Sequence, residues 1–237
     1  MPGLGTIINI AGILLGGFLG LCFGRFLKES HRQTLSRVCG VCVLFIGISG
    51  ALEGLLRVEN GSLVSGNTML LVITLALGAL IGELLRIEDG FERFGVWLKK
   101  KTGNAKDKQF VEGFVSASLT VCIGAMAIVG ALQDGLEGKY ATLVTKAVLD
   151  MVIVMVMTCS LGKGCLFSAL PVAVLQGSVT ALSFLIRPLM TPEALANLSL
   201  VGSVLIFCVG INLVWDRRIK TANLLPAIVL AVAAAFI

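Results

Sequence analysis

Two residues of opposite charge, Lys146 and Asp150, stand inside one apolar run, TLVTKAVLDMVIVMVMTCSL. On a helix, a spacing of four puts ammonium and carboxylate on the same face and within pairing reach. A carboxylate near the centre of a bilayer costs at least about 2.5–3.5 kcal/mol on insertion scales, so such residues face a protein interior or an aqueous path. Two chemistries follow. The pair either neutralises itself as an internal fastener, or Asp150 takes up a proton or cation while Lys146 serves as a tethered competitor that fills the site when it is empty. Gln176, in a later apolar run, falls near the same depth and can add an amide. Asn9, in the first run, is a weaker candidate that interhelical hydrogen bonding also explains. Glu53 and the Gln133-Asp134 pair stand near the outer ends of their runs, as a polar vestibule or as ordinary interface residues. A single carboxylate suits a proton or monovalent cation better than calcium, which takes about six to eight oxygen ligands. The residues name no particular metal.

The rest of the chemical inventory is thin. The one histidine, His31, lies in a basic connector with no second ligand near it. There is no Gly-x-Ser-x-Gly elbow and no His-Glu-x-x-His motif. Gly162-Lys163-Gly164 lacks the upstream glycine and the hydroxyl residue of a phosphate-binding loop. The seven cysteines lie mostly inside apolar runs, where cysteine behaves as a small hydrophobe. Neither an enzyme nor a cofactor is expected.

The elements that must position Asp150 follow from composition. Hydrophobic residues make up 57% of the chain and charged residues 14%, against about 25% charged in soluble domains. Solid apolar runs of about twenty residues, each enough to cross a bilayer as a helix, alternate with short charged clusters. The fold class expected is an all-α polytopic membrane helix bundle, a single integral membrane domain over 1–237, with about eight spans: 4–26, 36–56, 67–85, 110–132, 142–161, 164–186, 195–215 and a short last one at 223–237. A β-barrel would alternate apolar and polar residues, and these runs do not. The net charge of +5 is juxtamembrane without interleaved aromatics, so no nucleic-acid partner is expected.

Shifting the chain by eighty positions lays 41–82 on 121–162 without a gap, with Gly50-Ala51-Leu52 on Gly130-Ala131-Leu132 and Gly82 on Gly162. This is consistent with an internal repeat of helix pairs, 36–86 and 116–166, in which Asp150 replaces Leu70. The first span carries Gly12, Gly16, Gly20 and Gly24, a smooth stripe for close helix packing or for an oligomer seam, and Gly78 and Gly82 repeat the device. Pro171 is expected to kink the sixth span and free a carbonyl inside it, with Gln176 one or two turns on, or to supply a kink used only for packing. Residues 86–108 form the longest polar connector. Its Ile87, Phe91, Phe94 and Leu98 recur at helical spacing beside Trp97 and Lys99-Lys100-Lys101, which suits an amphipathic helix on the lipid surface or a plain cytoplasmic connector.

With eight spans, fifteen of the nineteen Lys and Arg fall on one side of the membrane, among them Lys106, Arg217 and Arg218. The positive-inside rule then makes 86–108 cytoplasmic and places both termini outside.

SLTVCIGAMAIVGALQDGLEG, LGALIGELLRIED, GTIINIAGILLGGFLG and KTANLLPAIVLA resemble the DUF554 family, the YdfK/YqgA-type bacterial inner-membrane proteins, across nearly the whole chain. The resemblance implies a bacterial inner-membrane location and one compact fold. It supplies no substrate. It also implies that Asn9, Glu83, Gly124, Asp150 and Gln176 matter, without a role for each.

The functional expectation is a small secondary transporter or ion-conducting protein, linked to a proton or monovalent cation. The alternative is a non-transporting scaffold or partner subunit that assembles, as a homo-oligomer or with other chains, through its glycine-rich helices.

Overall fold

The computed structural model describes residues 2–59, 61–104, 107–215 and 219–236; the side chains of Glu29, Glu59 and Ala125 are not among the described parts. Lys106, Arg217 and Arg218 of the basic connectors, and Ile237 of the expected last span, therefore lie outside the described residues. In chain order the elements are α1 (Leu4–Gly24), α2 (Glu29–Leu55), β1 (Leu56–Glu59), β2 (Ser62–Ser65), α3 (Thr68–Leu85), α4 (Ile87–Lys101), α5 (Phe110–Cys122), α6 (Ala125–Glu137), α7 (Ala141–Leu161), α8 (Ala169–Ala181), α9 (Ser183–Ile186), α10 (Pro192–Val214) and α11 (Pro226–Ala233). Three-residue-per-turn segments at Lys163–Ser168 and Thr221–Leu224 lead into α8 and α11.

On α1 and α3 most large apolar side chains point outward and small residues point inward. On α3, Thr74, Gly78 and Gly82 are buried while Met69, Val72, Leu80 and Leu84 are exposed, Leu84 by 84%. On α1 the buried face is Gly5, Thr6, Asn9, Ile13, Gly16, Gly20 and Gly24, and the exposed face includes Ile7, Leu15, Phe18 and Phe23. An apolar exterior around a small-residue interior is how helices pack when lipid is the solvent.

The all-α membrane bundle is as expected, while the count of eight spans is not confirmed. Among the described residues, six helices are long and apolar enough to cross a membrane, and a seventh crossing arises if the bent pair α5–α6 counts as one. The last apolar segment, Thr221–Phe236, is shorter. The span expected over 110–132 is not one rod: α5 stops at Cys122, α6 starts at Ala125, and the two axes differ by 61°. Gly124 between them has φ +145°, a conformation that side-chain-bearing residues rarely adopt. The polar turn after the second span is also more ordered than expected, an antiparallel hairpin in which Leu56 faces Ser65 and Glu59 faces Ser62.

The chain read as one membrane domain packs as two compact units, each discontinuous in sequence: 1–39, 91–122 and 126–187 in the first; 40–90, 123–125 and 188–237 in the second. In the second unit, Gly40, Gly47 and Gly54 recur every seven residues along α2 and admit Val214, Phe207 and Leu200 of α10, while Gly78 and Gly82 of α3 lie against Ala227 and Asn223. A latch closes the α3–α4 corner. Asn223 accepts from the Glu88 backbone N–H (2.7 Å) and donates to Glu83 (2.6 Å), the Glu88 carboxylate accepts from the Ala222 N–H (2.8 Å), and Lys220 Nζ donates to Glu83 Oε1 (2.7 Å). That last bond raises the Lys220 ammonium above its ordinary value; the pair is exposed and contributes little to stability.

In the first unit, α5 is enclosed by its neighbours, with ten consecutive-to-near-consecutive positions from Phe110 to Val121 buried. A helix covered all round belongs to the centre of a bundle. Beside it run α1 and α7, in contact along their length. Gly12, Gly16, Gly20 and Gly24 lie on the α7 backbone at Ala147, Met151, Met155 and Cys159. The glycine stripe of α1 thus lies on α7, and that of α3 on α11 and the Thr221–Leu224 segment before it.

The connector 86–108 is helical over Ile87–Lys101. Its Leu98 is buried, Phe94 stacks on Trp97 (centroids 5.6 Å apart) and tilts against Phe114 (5.7 Å), and Lys101 Nζ sits 4.8 Å from the Trp97 ring centre.

Candidate ion site in the first unit

Asp150 is the tenth residue of α7 and only 3% exposed; Lys146, one turn earlier, is 7% exposed. The Lys146 ammonium donates to both carboxylate oxygens, at 2.8 Å each, and to the Val121 carbonyl at 2.9 Å. Three N–H groups thus meet three oxygens, which satisfies the ammonium completely. Val121 offers its carbonyl because of the break after Cys122. The last four carbonyls of a helix have no intrahelical donor, and a continuous 110–132 helix would have closed this one off.

The glycines of α1 bring a third element to the pair. With no side chain at Gly12 and Gly16, the α1 backbone approaches α7, which brings the Asn9 amide near the Asp150 carboxylate. Asn9 Nδ2 also donates to Gln176 Oε1 of α8 at 3.2 Å, and both amides are fully buried. Asn9 Oδ1 and Gln176 Nε2 have no hydrogen-bond partner among the described residues. One turn toward the chain's start, the Thr6 and Thr180 hydroxyls meet at 3.4 Å beside a cleft of about 530 Å³ that Gly177 also lines.

Four of the five residues singled out as binding candidates, Asn9, Lys146, Asp150 and Gln176, therefore share one buried cluster drawn from α1, α7 and α8. Glu53 does not join it; it is exposed on α2 in the other unit. Pro171 does not break its helix at mid-depth. It is the third residue of α8, directly after the tight segment Lys163–Ser168, so the irregularity falls one turn before it and the helix through Gln176 is unbroken. The acceptor that sequence reasoning missed is the Val121 carbonyl. Its only signal was Gly124, the residue able to turn the chain there. Among the described residues no three His, Cys, Asp or Glu side chains gather in a way that could hold a metal ion.

Asp134, fully buried on α6, has a separate task. Its Oδ2 accepts the backbone N–H groups of Gly3 and Gly5 at 3.1 and 3.0 Å, capping α1 from another helix where Gly3 has no side chain to do so. The negative charge also complements the helix N-terminus. Asp134→Ala is expected to lower stability by about 1–3 kcal/mol, the penalty for stranding buried donors. Comparing unfolding midpoints of the two proteins in detergent checks this.

A bundle of apolar-faced helices enclosing a buried ion pair and amides is a polytopic α-helical membrane protein. This chain belongs to the family described as "Protein of unknown function (DUF554)", which matches residues 4–236. It is 30% identical over 232 residues to "Uncharacterized protein YqgA" of Escherichia coli (strain K12), covering 96% of this chain and 94% of that one. It is 26% identical over 226 residues to "Uncharacterized membrane protein YdfK" of Bacillus subtilis (strain 168), covering 95% and 93%. No solved structure matches the chain. Of the positions the family resemblance pointed to, Asn9, Asp150 and Gln176 form the cluster, Gly124 makes the break, and Glu83 holds the latch.

Proposed function

We propose that the protein is a small secondary transporter or ion-conducting protein of the bacterial inner membrane, linked to a proton or monovalent cation through Asp150. The observation that carries this reading is a carboxylate buried in the interior of a membrane bundle against a carbonyl released by a broken helix. Discontinuous helices beside a carboxylate are how transporters build cation sites near the bilayer midplane, and intramembrane carboxylates mark ion and proton paths. Lys146 holds the site closed when no ion occupies it. The excess of Lys and Arg in alternate connectors supports cytoplasmic basic loops, and both termini outside if the bent pair α5–α6 and Thr221–Phe236 both cross.

Purified protein in liposomes tests the reading. Flux of protons or alkali ions, followed with entrapped fluorescent indicators, is expected to fall at least tenfold in Asp150→Asn. Undiminished flux from that folded variant takes Asp150 out of the mechanism.

A second reading, a non-transporting membrane subunit, is favoured by the complete closure of Asp150 by Lys146, which by itself fastens α7 to the end of α5. Such a subunit would assemble through faces other than the filled glycine seams. Wild-type liposomes as tight as empty ones to every small cation would favour it.

A further inference from the structure

We infer that the position now held by the Lys146 ammonium is a binding site for a dehydrated alkali-metal cation, with the lysine as its built-in plug. This rests on the transport reading for its purpose but not for its chemistry. The ammonium nitrogen has three oxygens around it, Asp150 Oδ1 and Oδ2 at 2.8 Å and Val121 O at 2.9 Å. A proton needs one oxygen; a bare cation needs several converging ones. The Asn9 amide lies near this carboxylate, and its Oδ1 is buried without a hydrogen-bond partner among the described residues, a neutral oxygen that could turn toward an ion. Gln176 Oε1, bonded to Asn9 Nδ2, holds that amide from the far side. The donor set is one carboxylate and neutral oxygens, carrying a single negative charge. It balances one monovalent cation and leaves a divalent ion with an uncompensated charge in a buried place. The lysine therefore both neutralises Asp150 and marks where the ion sits.

Removing the plug should leave a site that small cations fill. Lys146→Ala, purified as the full chain in detergent, is expected to melt lower than wild type in choline chloride and to gain about 5 °C when 300 mM choline is replaced by sodium or potassium, the shift for a site filled well above its dissociation constant. Wild type should gain less than a third of that, because its lysine competes. Lys146→Ala/Asp150→Asn should gain none, and Lys146→Ala/Asn9→Ala should gain less than Lys146→Ala. Lys146→Met, which keeps the apolar stem, serves if the alanine variant does not fold. Equal stabilisation by choline and sodium, or an equal response in the Asp150→Asn double variant, overturns the proposal. Ion binding with no flux in wild-type liposomes would leave the site standing and remove transport. Flux that needs Asp150 with no ion-specific stabilisation would do the reverse.

Discussion

Asp150→Ala is expected to lower the stability of the folded protein by about 3–5 kcal/mol, because it leaves the buried Lys146 ammonium without its counter-charge. The carbonyl of Val121 remains, but one neutral acceptor does not replace two carboxylate oxygens at 2.8 Å. Lys146→Ala should be less severe wherever small cations are present, for the reason argued above. The double variant Lys146→Met/Asp150→Leu removes both charges and puts similar volume in their place, so it should recover most of the loss and sit above Asp150→Ala. Replacing a buried pair by apolar groups is often neutral. Unfolding of wild type, Lys146→Met, Asp150→Leu and the double variant in mixed micelles, analysed as a double-mutant cycle, measures the coupling. A coupling near zero would mean that the two groups do not depend on each other, contrary to the geometry.

The second large effect belongs to the α1–α7 seam. A side chain at Gly16 would run into the Met151 carbonyl and its backbone, and one at Gly20 into the Met155 carbonyl. Backbone in the middle of a 21-residue helix cannot swing aside as a flexible side chain does. Gly16→Leu is therefore expected to exceed the usual overpacking penalty of about 1–3 kcal/mol and to prise α1 from α7, moving Asn9 away from Asp150. Gly177→Ala supplies the contrast. A Cβ there meets nothing within 4 Å, so that variant should keep wild-type stability or gain about 0.5–1 kcal/mol, as alanine does over glycine in a helix. Midpoints of detergent unfolding read both. The seam interpretation fails if Gly16→Leu melts with wild type.

These two results bear on one design. The glycines position Asn9, the break at Gly124 positions Val121, and the helix between Ala141 and Leu161 carries the ion pair they surround. The α1 glycines are more than filler. They let a polar residue on one helix come near a charge on another, where larger residues would hold the backbones apart.

The membrane-spanning, all-α nature of this protein was determined by sequence alone, for a direct reason. With no water to satisfy exposed backbone groups, long apolar runs have helix as their one open-ended solution. The Lys146–Asp150 pairing was legible too, since it depends only on a spacing of four along one helix. So were the small-residue faces of α1 and α3. What lay between helices was not legible. That Asn9 and Gln176 meet, 167 positions apart, is a fact about which stripe lies against which neighbour, and apolar stripes look alike along the chain. The break at Ile123–Gly124 was hidden because an isolated glycine inside an apolar run is as compatible with a continuous helix as with a broken one; the surrounding packing chose. Glu53 was a candidate because it stands near the outer end of its run, in the place that matches Gln133-Asp134 in the repeat, and the folded chain has it exposed in the other unit. Pro171 was read as a break because proline forbids a helix interior, yet only the folded chain decides where an interior begins. Distance along one helix is written in the residues. Distance between helices belongs to the packing.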